Sequence, residues 1–368
     1  MAKRKNEASW VESRLRWQIN VQTEGRRRTF SDPTPGRKGK IAAEKKADDW
    51  LEENLVDENT RVEVMLDRWY AKLQLSTSYS HYHQYDKFMR NQIKPVIGQK
   101  KISRLTQNDL QNVIDVAYSG GKLAHKTLSN IRACLMSFIK YCRGEKATRL
   151  HPETLTIPAG AKKSKKTIAS EDELKILFSV SDTLYNGKRS EDRFIHAYRF
   201  AVLTGMRPGE LVALKNEDII GSRIKISRSI NEYNELTEGK NANAQRTYTL
   251  DSHALRVLSD QKKMLMRHKQ ISPYIFPARD LDHVTQSTYR KSWKRYCAAN
   301  GIKGANTPYE LRHTFVSINS EMPSALKKLV VGHSKNMDTD GIYSHEKAGD
   351  MATAAEYIST AFTKILGW

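Results

Sequence analysis

Four side chains in this sequence could together manage phosphoryl chemistry. Tyr343 stands ten residues after His333, in the run Val330-Val331-Gly332-His333-Ser334 … Gly341-Ile342-Tyr343-Ser344-His345. Arg312 lies thirty-one residues before Tyr343, within Thr307-Pro308-Tyr309-Glu310-Leu311-Arg312-His313. Arg207 comes more than a hundred residues earlier, within Leu203-Thr204-Gly205-Met206-Arg207-Pro208-Gly209-Glu210-Leu211. A phenol, with a pKa of about 10 in water, forms a phosphodiester close in energy to the one it breaks. Arginine stays charged at any working pH, and its fork donates two parallel hydrogen bonds to phosphate oxygens. A phenol placed beside a phosphate already gripped by cations ionises more easily. Such a set moves a strand with no metal or nucleotide, given an acid for the departing oxygen.

Local wording says how these groups are presented. Thr204-Gly205 reads as a helix end, and Pro208 as the first residue of a new helix, so Arg207 sits at a helix mouth. Glu210 is placed to brace it. Arg312 falls early in a helix beginning near Thr307-Pro308, and His333 follows Gly332 at a turn. Taken singly, each arginine reads as a surface residue; taken with the phenol, both read as phosphate ligands. His313 reads as a packing or supporting group, and His345 has no assigned role.

The rest of the chain must position this set. Its 368 residues suffice for two or three domains. Sixty-two Lys and Arg against 41 acidic residues leave a formal charge of +21, which suits a polyanion such as nucleic acid. Cys134, Cys142 and Cys297 form neither a disulfide framework nor a spaced metal site. No metal or cofactor is expected. No apolar run approaches a membrane span of roughly 20 residues, and no signal-peptide core follows Met1. The expected setting is the cytoplasm.

Residues 1–43 hold 11 Lys and Arg against 4 acidic residues. They read as short antiparallel strands at Trp10 to Ser13, Arg16 to Gln22 and Arg26 to Phe30, with Leu15, Trp17, Ile19 and Val21 alternating. Arg26, Arg27 and Arg28 are read as DNA contacts. A helix with Ile41, Ala47, Leu51 and Leu55 on one face follows the Pro-rich break at 32–36. Four helices between about Thr60 and Gly144 then make a small bundle, its tyrosines mostly core. Lys87, Arg90, Lys122, Lys126 and Arg132 are candidates for a groove-facing surface. Residues Ile157 to Lys166 read as a linker whose Lys162, Lys163, Lys165 and Lys166 suit a strap over phosphates. Ser170-x-x-Glu173 caps the first helix of a second large domain. That domain reads as helical, with strands at Arg223 to Ile230 and Arg246 to Leu250.

These motifs, in this order and spacing, resemble the active site of the tyrosine recombinases, specifically within residues 200–345. The resemblance implies a mainly α fold with small β parts in three domains. They are an arm-site DNA-binding domain at 1–57, a helical core-binding domain at 58–157 and, after a basic linker at 158–167, a mixed α/β catalytic domain at 168–368. It implies a 3′-phosphotyrosyl intermediate on Tyr343, with His333 hydrogen-bonding the phosphate. The stretch Glu238 to Leu250 resembles the family's β-hairpin, whose loop lysine, here Lys240, is the acid for the 5′-oxygen. One departure is Tyr309, where the family usually has histidine; a phenol can donate to phosphate but is a poor base near neutral pH. The proton of Tyr343 then goes to water, to the phosphate or to His333.

The N-terminal segment favours a phage-type or integrative-element integrase over a shorter recombinase. The implied partners are double-stranded DNA with core and arm sites, a homotetramer passing through a Holliday junction, an excisionase and a host DNA-bending protein. The C-terminal stripe Ile358, Ala361, Phe362, Ile365 and Leu366 docks on its own core or, by the resemblance, on a neighbouring protomer. Two rival readings are a type IB topoisomerase-like relaxing enzyme and a catalytically impaired DNA-binding relative.

Overall fold

A computed structural model of the chain describes residues 6–23, 26–53, 60–121, 123–163, 165–238, 245–332 and 349–368. The chain divides into two compact units, Met1–Ser164 and Lys165–Trp368.

The first unit opens with β1 (Ser9–Val11), a 3-10 turn at Glu12–Arg14, β2 (Arg16–Thr23) and β3 (Arg26–Asp32), an antiparallel sheet in that order. The first strand stops at Val11, short of the expected Ser13. The chain turns there, and Leu15 takes a left-handed backbone with φ 45°, so the inward alternation begins only at Trp17. Ile19 pairs opposite Phe30. Ile19 and Val21 bury against α1 (Gly36–Glu53), whose inward residues are Ala43, Ala47, Trp50 and Leu51. Ile41 is exposed rather than inward, because two residues turn a helix by about 200° from Ala43. Leu55 lies outside the described residues.

A separate core holds α2 (Val62–Ser76), α3 (Tyr79–Phe88), a π-helical turn at Met89–Ile93, α4 (Lys94–Ile97), α5 (Gln107–Gly121) and α6 (His125–Gly144). Trp69 is its hub, with ring centroids 5.5 Å from Phe138 and 5.6 Å from Tyr85. Tyr70, Tyr82 and Tyr85 pack against this core, as expected. The wider π turn keeps both Met89 and Ile93 inward where a helical face would drift. Thr106 and Asp109 form a capping box at the start of α5: Asp109 accepts from the Thr106 N–H at 3.0 Å, and the Thr106 hydroxyl accepts from the Asp109 N–H at 3.3 Å. Arg132 donates to the Leu155 carbonyl and Arg90 pairs with Asp86, so neither is committed to a groove alone.

The second unit begins with α7 (Glu171–Ser179), capped reciprocally by Ser170 and Glu173. Next comes a hairpin that the sequence reading did not foresee, β4 (Asp182–Tyr185) and β5 (Lys188–Glu191). Asn186 and Gly187 both take positive φ, 47° and 76°, the two-residue turn that matches strand twist.

The chain continues through α8 (Ile195–Thr204), α9 (Pro208–Val212), β6 (Ile219–Ile220), β7 (Arg223–Ile226), β8 (Ser229–Ile230), β9 (Leu236–Thr237) and β10 (Arg246–Thr249). The strand expected from Arg223 to Ile230 is broken: β7 joins a β10–β7–β6 sheet, while β8 pairs with β9. Among the described residues five helices follow: α10 (Ser252–Arg267), α11 (Gln286–Asn300), α12 (Pro308–Ile318), α13 (Ser324–Val331) and α14 (Asp350–Leu366). α14 buries Ala354, Ile358 and Phe362 in its own unit. Among the described residues, no helix is long and apolar enough to cross a membrane.

α8 is buried along its whole length and is the axis on which α10 and α12 pack. It carries His196, whose imidazole burial, aided by the charge of Arg199, holds down to about 4 against an ordinary 6.5. The unfolded chain takes up that proton first, so stability is complete above pH 6.5 and lost as pH falls toward 4. Urea unfolding at pH 7 and pH 5 should show wild type losing about 2 kcal/mol more than His196→Leu over that interval.

Candidate active site

Gly205 ends α8 in the left-handed region, φ 61°. A Cβ there would stand 2.4 Å from the Phe315 ring, so glycine both makes the turn and lets α12 approach. Two residues on, Arg207 precedes Pro208 at the mouth of α9, as its local wording implies. Glu210, 3% exposed, accepts from the Arg207 backbone N–H at 2.9 Å and from its Nη1 at 2.7 Å. The Arg207 side chain remains 27% exposed.

Arg312 enters from α12 and is 2% exposed. Its Nη1 donates to the Gly205 carbonyl at 2.8 Å and its Nη2 to the Val331 carbonyl at 2.7 Å. Arg207 Nη2 donates to the Gly332 carbonyl at 2.9 Å. A third arginine completes the set: Arg246 Nε donates to the Val330 carbonyl at 2.7 Å. Its Nη1 and Nη2 reach the two Glu210 oxygens at 3.1 and 2.9 Å. The carbonyls of three consecutive residues at the end of α13 are thus each held by a different arginine.

A helix leaves its last carbonyls without intrahelical partners, and they carry the negative end of its dipole. Gly332 closes α13 in the left-handed region, and its N–H returns to the Leu329 carbonyl. Guanidiniums are suited to the carbonyls that remain. Each has five N–H donors, so an arginine holding a carbonyl through one N–H of each Nη keeps others for a ligand.

Burial pushes the Arg312 guanidinium down, and the charges of Arg207 and Arg246 add to this against Glu210 and Tyr309. It settles at about 10 and is charged at neutral pH. Burial pushes the Glu210 carboxyl up. The hydrogen bond and charge of Arg246, with the backbone N–H and charge of Arg207, more than reverse this and keep it ionised. Among the described residues, three guanidiniums against one carboxylate leave two positive charges in a site whose ligand would be anionic.

Tyr309 is 44% exposed and meets His313 edge-on, with ring centroids 5.0 Å apart. Burial, then the charges of Lys166 and Arg312, hold His313 below its ordinary value against the pull of Glu310. The start of this unit docks on the same helix. Thr167 donates to the Glu310 carboxylate at 2.7 Å, and the Ala169 N–H donates to the Thr314 hydroxyl at 2.9 Å.

The structure therefore brings together Arg207, Glu210 and Arg312, with Tyr309 beside Arg312 and His313 beside Tyr309. Lys240, His333 and Tyr343 lie outside the described residues, although Gly332 directly precedes His333. Lys162, Lys163, Lys165 and Lys166 are exposed, as are Arg27 and Arg28 on β3; Arg28 also stacks over Phe30 at 5.5 Å. The side chain of Arg26 lies outside the described residues.

The sequence reading assigned no role to Arg246. Its one local signal is position: it shares the alternating face of β10 with buried Tyr248, which turns a charged group inward.

The Phage integrase family model matches residues 168–349, and the model of the phage integrase N-terminal SAM-like domain matches 62–116. The chain belongs to the tyrosine recombinases of the phage integrase family. As a tyrosine recombinase it cleaves and rejoins DNA in site-specific recombination.

Tyrosine recombinase XerC of Bacillus licheniformis is 25% identical over 296 residues, covering 77% of this recombinase and 88% of that protein. The integrase of Staphylococcus phage L54a is 26% identical over 196 residues, covering 47% and 54%. Among solved structures, the Tn1549 transposon integrase in complex with transposon right end DNA matches with a TM-score of 0.63. It is 17% identical and covers 81% of this chain and 99% of that one. A lambda integrase tetramer bound to a Holliday junction matches with a TM-score of 0.60 at 14% identity, covering 93% and 98%. At these identities the two structures speak for the fold. It is the expected one: mainly helical with small sheets.

Arg312 carries structure as well as charge in this recombinase. An ammonium reaches one carbonyl where the fork reaches two, so Arg312→Lys leaves a buried acceptor unmet. Thermal or urea unfolding should show a loss of about 1–3 kcal/mol.

Proposed function

We propose that this recombinase is the integrase of a mobile element or prophage, with Tyr343 the nucleophile that forms the 3′-phosphotyrosyl bond. The observation that carries this reading is the convergence of Arg207 and Arg312 on the end of α13, immediately before His333. Guanidinium N–H groups fixed before substrate arrives cost nothing to reorganise as charge develops on the phosphate. Arg207 and Arg312 hold the non-bridging oxygens, and His333 donates to the same phosphate. Lys240 protonates the leaving 5′-oxygen, and Tyr309, open to solvent beside Arg312, supplies one further donor.

In this reading residues 1–57 bind arm sites, with Arg26, Arg27 and Arg28 at the DNA. Residues 58–157 bind the core site, 158–167 form a strap of Lys162, Lys163, Lys165 and Lys166 over phosphates, and 168–368 do the chemistry. The enzyme acts in the cytoplasm as a tetramer on paired duplexes, with an excisionase and a host DNA-bending protein setting direction. The lambda integrase tetramer on a Holliday junction supports the assembly. The phage L54a integrase supports the mobile-element assignment over a type IB topoisomerase-like enzyme.

Nicked duplexes drawn from the DNA flanking the native gene, with adducts resolved on a denaturing gel and sequenced, test the assignment. Wild type should yield a covalent adduct at one crossover sequence. Tyr343→Phe should bind that duplex as wild type does and form none; undiminished adduct from the variant would sink the nucleophile assignment.

Tyr309→Phe should slow single-turnover cleavage by about one to two powers of ten, the loss of one donor to a charged group. Tyr309→His should retain substantial activity. A Phe variant within about twofold of wild type removes Tyr309 from the phosphate.

A further inference from the structure

Arg246 is 8% exposed on its side chain, and among the described residues its donors reach Glu210 twice and the end of α13 once. Glu210 has two claimants in turn. Its Oε1 accepts from Arg207 Nη1 at 2.7 Å and Arg246 Nη1 at 3.1 Å. Its Oε2 accepts from the Arg207 backbone N–H and Arg246 Nη2, both at 2.9 Å. The carboxylate is buried and ionised, so it takes whatever cation can reach it.

We propose that Arg246 is a positioning residue for recombination: by occupying Glu210, it keeps the Arg207 guanidinium from being drawn wholly onto that carboxylate and leaves it available to the phosphate. The inference rests on the recombination site proposed above. Without Arg246, Glu210 Oε2 retains only a backbone N–H. The fork of Arg207 can then turn inward to pair with both oxygens, releasing the Gly332 carbonyl beside His333. The change also costs the site one of its two net positive charges. Arg246 thus acts through Arg207 and the end of α13, without touching DNA itself.

This assignment makes an unusual demand on a double variant. Arg246→Met should trap Arg207 on Glu210, whereas Arg246→Met with Glu210→Gln removes the trap and restores the net charge. A residue that served only packing would make the double variant worse than the single.

The test is single-turnover cleavage of the nicked duplex recovered by covalent capture, with duplex affinity measured alongside. Arg246→Met should cleave about 10²-fold more slowly than wild type, the cost of a misplaced reacting partner, with Kd within about threefold. Adding Glu210→Gln should recover about tenfold of that loss. Arg246→Lys keeps the charge but cannot reach Glu210 and Val330 together, and should be slowed about tenfold; it carries the test if the methionine variant fails to fold.

A wild-type rate for Arg246→Lys, a loss confined to DNA affinity, or a double variant no faster than Arg246→Met overturns the inference alone. Failure of the wild-type enzyme to form any Tyr343 adduct overturns the recombination reading, and this inference with it.

Discussion

The last turn of α13 is the constraint on which the site depends. Its outgoing carbonyls, at Val330, Val331 and Gly332, are met by Arg246 from β10, Arg312 from α12 and Arg207 from the mouth of α9. These elements are far apart in the chain, and each needs the same helix end. Placing any one of the three arginines therefore helps to place the others. The dipole of α13 makes the arrangement favourable, since its negative end faces the cations.

Three guanidiniums so close would repel one another without a counter-charge. Glu210 supplies it from a buried position, bonded to two of them. One carboxylate against three cations leaves the cluster net positive, so structural needs are met and charge remains for an anionic ligand. The division of exposure follows. Arg312 and Arg246 are enclosed by protein, whereas Arg207 stays partly open. The depressed pKa of Arg312 records how strongly burial and its neighbours oppose its charge, yet it remains charged at neutral pH. A buried, paired charge of this kind contributes little net stability; its value lies in being fixed before a phosphate arrives.

The surrounding fold serves that fixation. α8 is enclosed on every side, and its closing glycine lets Phe315 of α12 approach within a distance that no other residue type allows. Thr167 and Ala169, at the start of the unit, bond to α12 through Glu310 and Thr314, and so hold the helix that carries Arg312 and Tyr309.

Much of this was determined by the sequence alone, wherever the governing interaction is local. The capping boxes at Ser170 and Thr106, the bundle's apolar stripes, the turn after Thr204 and the placement of Arg207 and Glu210 all depend on residues within about four positions of each other. The hairpin around Asn186 and Gly187 is absent from the sequence-based expectation, because the short strands beside its turn carry no apolar alternation. The inward placing of Ile41 fails on helix geometry: the six residues to Ala47 turn α1 by about 600°, which leaves the two side chains about 120° apart.

Only the tertiary structure decided the role of Arg246, the break between β7 and β8, and the meeting of the arginines on α13. Arg246 finds Glu210 across 36 residues and Val330 across 84, while Arg207 finds Gly332 across 125. The acceptors on α13 are backbone carbonyls, a group that every residue possesses. No choice of side chain at 330 to 332 announces the contact, so the folded chain alone brings them to the guanidiniums.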